Sequence, residues 1–229
     1  MKIYTRPLSV FLFCILTSTS QGQDWPNLKR YQNLNAQLDA PKPTEHRIVF
    51  MGNSITEGWG KKRPEFFANK DYINRGIGGQ TTPQMLLRFR QDVVNLNPSV
   101  VVLLAGTNDI AQNTGPSTIE MIMDNIKSMT EIAVANNIEI ILCSVLPASD
   151  FPWRPGLEPA QKVVELNGLI EKFAHERDLI YVDYFTAMVN ASNGLRAELG
   201  DDGIHPNKEG YLIMEPLIEE GIRKALESK

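Results

Sequence analysis

The sequence predicts an α/β fold in which a parallel sheet is covered by helices on both faces. Two stretches, SVVVLLAG at 99–106 and IEIILCSV at 138–145, are almost continuously apolar, as strands buried on both sides are. From Arg47 onward strand-like and helix-like segments alternate, the order that sets parallel strands side by side through helical crossovers. The chain has 229 residues, 42% hydrophobic and 22% charged, enough for one domain with its own core.

Residues 1–22 read as a signal peptide. Lys2 and Arg6 make a positive start, LSVFLFCILT is an apolar run too short to cross a bilayer, and STSQGQ offers small residues for cleavage after Ser20 or Gly22. The alternative is a retained membrane anchor. A lipid-modified Cys14 is disfavoured by the bulky Phe13 before it. The mature protein is therefore expected to be secreted or periplasmic, with no membrane span. The whole chain carries a net charge of −4. Loss of Lys2 and Arg6 would make it about −6, and no basic stripe is present, so nucleic acid is not an expected partner.

Residues 23–46 contain DWPNLKRYQNLNAQLDAPKP and read as a short polar helix followed by a proline-marked link, ahead of a domain at 47–229. Within that domain the strand-like runs are 47–51, 71–74, 99–105, 139–145 and 179–183. In STIEMIMDNIKSMTEIAVAN, Ile119, Ile122, Met123, Ile126, Met129 and Ala133 keep to one face of a helix. Ser117 followed by Glu120 suggests a capping box, with Pro116 leading in. A second helix spans about 160–177, and a last one runs from about 207 to the end, bent or delayed by Pro216. Cys143, in an apolar strand and without a mature partner, reads as a buried structural thiol.

Ligands of such sheets bind beyond the carboxyl ends of the strands. The loops of interest are therefore GNSITEGW, RGIGGQTT, AGTND, LPASDFPWRPG and the segment after YVDYF. Ser54 stands in the first of them, and a serine nucleophile needs a base. The chain has three histidines. His46 precedes the first strand, at the wrong end of the sheet, and His175 falls on the flank of a helix. His205, in DDGIHPNKEG, is the best candidate. Asp202 lies three residues earlier and can hold the imidazole Nδ1–H, leaving Nε2 to take the Ser54 proton. The same pair also reads as an Asp cap of the final helix with a neighbouring His.

An oxyanion needs donors. The Ser54 N–H at a helix start, the Gly79 N–H and the Asn108 side chain can supply them. Equally, Gly76, Gly78 and Gly79 can form only a tight turn, and Asn108 can bond only loop backbone. The spacing of a dinucleotide loop fails, since Thr81 stands where a third glycine belongs; no phosphate-binding P-loop motif occurs. Too few Cys and His remain for a structural zinc site, and Thr56 breaks the G-x-S-x-G elbow. In LPASDFPWRPG, Phe151, Trp153 and Arg154 offer a platform and a hydrogen-bonding fork for a sugar, and Trp59 offers another platform; the alternative is that these aromatics pack loops onto the domain. There is no long apolar lid.

Taken in order, GNSITEG, NRGIGGQTT, GTND and DGIHPN resemble the four blocks of the GDSL-type esterase/lipase family, the SGNH hydrolases. The resemblance covers the chain from about Arg47 to its end. It implies a three-layer α/β/α sandwich around a five-stranded parallel sheet, a flavodoxin-like arrangement. It further implies a Ser54–His205–Asp202 triad, an oxyanion hole of Ser54, Gly79 and Asn108, and no metal or cofactor. The family's usual Asp before the serine is Asn53 here, a change expected to matter for structure rather than catalysis. RGIGGQTT and NPSVVVLLAGTND are most similar to the branch of platelet-activating-factor acetylhydrolase-like enzymes and bacterial carbohydrate acetylesterases, which implies short acyl groups. The expected partner is a small-molecule or glycan ester. A lysophospholipase or thioesterase on the same site, or a glycan-binding module without turnover, are the other readings.

Overall fold

The computed structural model describes residues 23–68 and 70–227; the expected signal peptide at 1–22 lies outside the described residues. Five strands, β1 (Ile48–Gly52), β2 (Tyr72–Gly76), β3 (Val100–Leu104), β4 (Glu139–Cys143) and β5 (Ile180–Val182), form one parallel sheet in the order β2-β1-β3-β4-β5. Met51 lies level with Arg75 on one side and Leu103 on the other.

Successive strand side chains point to opposite faces. Val49, Met51, Val101, Leu103, Ile140 and Leu142 enter one core, and Ile48, Phe50, Val100, Val102, Ile141 and Cys143 enter the other. Burial on both faces explains why these strands are apolar without alternation. The first core is closed by α4 (Thr82–Asp92), α6 (Ile119–Ala135) and α7 (Pro159–Glu176). The second is closed by α2 (Ser54–Lys62), α3 (Pro64–Phe67) and α9 (Lys208–Glu227). The remaining helices, α1 (Lys29–Ala36), α5 (Thr107–Ile110) and α8 (Phe185–Met188), are short.

Two local expectations need correction. The cap of α6 is Thr118 rather than Ser117: Thr118 is extended and its side chain accepts the Met121 N–H at 3.3 Å. Both residues are cap formers, and the helix takes the one directly before Ile119. Helix α9 is not delayed by Pro216; it starts at Lys208 and runs through the proline. Cys143 is buried, and burial pushes its thiol up to about 12.

Helix α1 packs beside the edge strand β2. The Tyr31 hydroxyl donates to the Gly76 carbonyl, the Arg75 guanidinium lies 4.7 Å from the Tyr31 ring centre, and Asn35 bonds both Arg75 (2.9 Å) and Asp92 (2.7 Å). The segment before the domain therefore lies against β2 and α4. No helix among the described residues is long and apolar enough to cross a membrane.

Candidate active site

Strand order 2-1-3 places a topological switch between β1 and β3, where open parallel sheets leave a crevice. Ser54 leaves the end of β1 and Asn108 follows β3, so both stand at that crevice. Helix α2 begins at Ser54 because Asn53 caps it, its side-chain oxygen accepting the Ile55 N–H at 3.1 Å. Asn53 thus has a structural task. Glu57 in the first turn and Lys61 and Lys62 in the last complement the helix dipole.

The Ser54 Oγ lies 2.8 Å from His205 Nε2, and His205 Nδ1 lies 2.6 Å from Asp202 Oδ2. An ionised carboxylate only accepts, so the proton of the pair sits on Nδ1 and Nε2 faces the serine hydroxyl as an acceptor. Burial alone would raise the Asp202 carboxyl. It is outweighed by the His205 backbone N–H, the His205 ring and the Ile204 N–H, which together hold it below its ordinary value. The carboxylate is thus both orienter and loop anchor: Oδ1 takes the N–H of Ile204 at 3.0 Å and of His205 at 2.7 Å. This is the geometry that general-base activation of a serine requires.

Three donors belong to the same rim. The N–H groups of Ser54 and Gly79 donate to no group among the described residues. Asn108 is buried and donates one amide proton to the Gln80 carbonyl at 3.0 Å, leaving its second uncommitted among those residues. The glycines of RGIGGQTT do different things. A Cβ on Gly76 would overlap the backbone of Glu57 and Asn53, so Gly76 lets β2 approach the start of α2. Gly79 has φ +76° and open space around its Cα, the left-handed turn that glycine favours.

Several supports were not legible as site residues. The Glu57 carboxylate accepts the Gly78 N–H at 2.8 Å and is itself held by Arg30 (3.0 Å) and Lys61 (2.9 Å). Its place three residues after Ser54 on a helix was the available signal. Buried Arg88 pairs with Asp92 at 3.1 Å and donates to the Gly52 carbonyl at 3.0 Å and to Gln80 Oε1 at 2.5 Å. Gln80 in turn holds Asn108. Asp109 binds the Thr82 N–H at 3.0 Å and its hydroxyl at 2.6 Å, fixing the start of α4; burial pushes its carboxyl up to about 6.

The aromatic candidates separate. Trp59 is 1% exposed and Phe151 0%, so neither is free to meet a substrate. Trp59 stacks between Phe66, at 5.0 Å, and Tyr211, at 5.4 Å. It lies one turn after buried Ile55 on α2, so its side chain follows that helix into the core. Phe151 is part of the opposite core. Trp153 is 44% exposed, its ring centre 6.3 Å from that of His205 and its Nε1 bonded to Asn113 at 3.0 Å. Arg154 is exposed and spends one guanidinium N–H on the Gln112 carbonyl at 2.9 Å. His46 precedes β1 at the far end of the sheet, and His175 is exposed on α7. Among the described residues no cluster of three or more His, Cys, Asp or Glu could hold a metal ion. A cleft of about 400 Å³ between α6 and α7 contains none of the candidate site residues.

Residues 50–213 match the GDSL-like Lipase/Acylhydrolase family. The chain is similar to an acetylxylan esterase of Xylanibacter ruminicola, at 25% identity over 81% of this chain and 45% of that protein. It is similar to the platelet-activating factor acetylhydrolase IB subunit beta homolog of Drosophila melanogaster, at 27% identity over 59% of this chain and 63% of that one. The chain thus spans less than two thirds of the length of either relative. Among solved structures, a GDSL-like lipase from Bacteroides thetaiotaomicron is 50% identical, with 87% of this chain and 98% of that chain covered and a TM-score of 0.86. The family match begins inside the first strand and ends inside the last helix. This chain belongs to the GDSL-like lipase/acylhydrolase family.

Proposed function

We propose that the protein is an exported serine esterase that removes short acyl groups, acetyl above all, from carbohydrate. The observation that carries it is the unbroken line from Ser54 Oγ through the His205 ring to Asp202 beside unspent N–H donors. In this reading His205 Nε2 takes the Ser54 proton as Oγ attacks the ester carbonyl. The negative oxygen of the tetrahedral adduct settles among the Ser54 and Gly79 N–H groups and the free amide proton of Asn108. The imidazolium, held by Asp202, gives its proton to the departing sugar oxygen. A water activated by the same imidazole then attacks the acyl-serine, and the acid is released. Acetate is favoured over a long acyl chain because the sequence carries no long apolar lid. Trp153, exposed beside His205, suits the apolar face of a sugar ring. The names of the acetylxylan esterase and acetylhydrolase relatives point the same way.

The test is acetate release from acetylated polysaccharides together with a p-nitrophenyl ester series from acetyl to decanoyl. Activity is expected to be highest on acetyl and to fall along the series; a maximum at decanoyl overturns the short-acyl reading. Retention of sugar without any acetate release would instead mark a binding module. Asn108→Ala is expected to lower kcat on p-nitrophenyl acetate by about 10²–10³ with little change in KM, since that donor is needed most when charge develops. An Asn108→Ala enzyme as fast as wild type removes Asn108 from the oxyanion hole.

A further inference from the structure

A cleft of about 350 Å³ opens beside Gly79, between the N-terminal segment and the loops after β2 and β3. Its walls include Trp25, Asn27, Gly79, Gln84, Asn113 and Thr114. The cleft is continuous with the site. A Cβ on Gly78, also in its wall, would lie 3.8 Å from that of Ser54, and Asn113 donates to the Gly79 carbonyl at 3.3 Å while accepting from Trp153 at 3.0 Å. A chain of contacts therefore runs from His205 through Trp153, Asn113 and Gly79 into the cleft.

The lining decides what can bind there. Among the described residues Asp24 is the one charged side chain in the wall, and it is committed: its two oxygens accept N–H groups at the start of α1, Leu28 at 2.8 Å and Lys29 at 3.0 Å. With no cation a phosphate or other anion finds no partner, and with little apolar wall an acyl chain gains little. What remains is amide, hydroxyl and glycine backbone, the buried Ile77, and one indole 41% exposed. That combination suits a neutral polyhydroxylated ligand, whose C–H face lies on an aromatic ring while its hydroxyls bond amides. The platform is also fixed in advance. The Trp25 carbonyl accepts from Gln84 and the Pro26 carbonyl from Gln80, each at 2.7 Å, so the backbone beneath the indole is anchored to the site loop.

We propose that this cleft is a second sugar subsite, with Trp25 as its stacking platform and Asn27, Asn113 and Thr114 as hydroxyl partners, holding the units of an oligosaccharide that flank the acylated one. The proposal rests on the carbohydrate-ester reading, and it assigns to the N-terminal segment a part in choosing long chains over single sugars.

The test is calorimetric titration of the Ser54→Ala protein with deacetylated xylo-, manno- and gluco-oligosaccharides of increasing length, repeated with Trp25→Ala and Trp25→Phe added. Affinity is expected to rise with length for at least one series, to fall about tenfold in Trp25→Ala for the longer members, and to be largely restored in Trp25→Phe. In the protein with Ser54 intact, the loss should fall on KM for acetylated oligosaccharides rather than on kcat. Absence of binding in every series overturns the subsite, even where wild type releases acetate from the same chains. So does equal binding by Trp25→Ala, or an equal loss of kcat on p-nitrophenyl acetate and on oligosaccharides, which would mark a structural role. Binding through Trp25 without acetate release supports the subsite and removes the esterase reading alone.

Discussion

Replacing Ser54 by alanine is expected to lower kcat for p-nitrophenyl acetate by about 10⁶-fold, the scale at which a serine hydrolase loses its covalent route. What is left should still exceed the uncatalysed rate by roughly 10³–10⁴, because the N–H donors and the bound geometry persist without the hydroxyl. The protein should fold as before. Among the described residues the Ser54 side chain bonds His205 alone, at the partly open rim, so its removal leaves no polar atom stranded in the core. The unfolding free energy is therefore expected to move by no more than about 0.5 kcal/mol. Measuring turnover and thermal unfolding on the same preparation separates the two effects. A Ser54→Ala protein that keeps a tenth of wild-type kcat would show that the acyl group never rests on this serine.

The fold was legible where burial is two-sided. β3 and β4 had to be near-continuous apolar runs, and the observed strands lie within the stretches the sequence marks. The ends of strands were less legible, because the last residues of a strand and the first of a loop differ only in hydrogen bonding. Helix α4 was hard to see for a different reason. Its buried face includes Arg88 and Asp92 while Leu87 is exposed, so polarity and burial disagree along TPQMLLRFRQD. The disagreement has a function: Arg88 is the strut under Gln80 and, through it, under Asn108.

Ser54, His205 and Asp202 were legible as candidates and the residues that support them were not, for one physical reason. A serine, an imidazole and a carboxylate are types that chemistry selects; Ser54 stood just after a strand, and Asp202 and His205 in a turn-rich stretch before the last helix. Glu57, Gln80 and Asn113 act only through what they touch, and sequence spacing does not record touch. The aromatic residues make the same point. Phe151 and Trp153 are two residues apart in one loop, yet one is core and the other faces His205. For Trp59 the sign was present: Ile55 and Trp59 at one-turn spacing make an apolar stripe, and a stripe on a helix covering a sheet points inward.

Asp202→Asn should lower kcat by about 10⁴-fold with the fold intact, and the reason is specific to this loop. Oδ1 of Asp202 receives the N–H groups of both Ile204 and His205, and Oδ2 receives the ring Nδ1–H. An asparagine must keep its single oxygen toward the two backbone donors, which places its NH₂ against Nδ1. The ring then has to accept at Nδ1 and carry its proton on Nε2, where it meets the Ser54 hydroxyl as a donor and takes no proton from it. The retained backbone bonds keep the loop closed, so KM should change far less than kcat. The acid side of the stability profile should change as well. In the wild type the carboxyl is held below its ordinary value of 3.8, so its contribution is fully present above that value and is lost as pH falls through the lowered one. The amide does not titrate, and that part of the acid sensitivity should vanish. Kinetics at neutral pH with unfolding measured from pH about 6 down to about 2 tests both arms. An Asp202→Asn enzyme within tenfold of wild type would mean that another group sets the tautomer of His205.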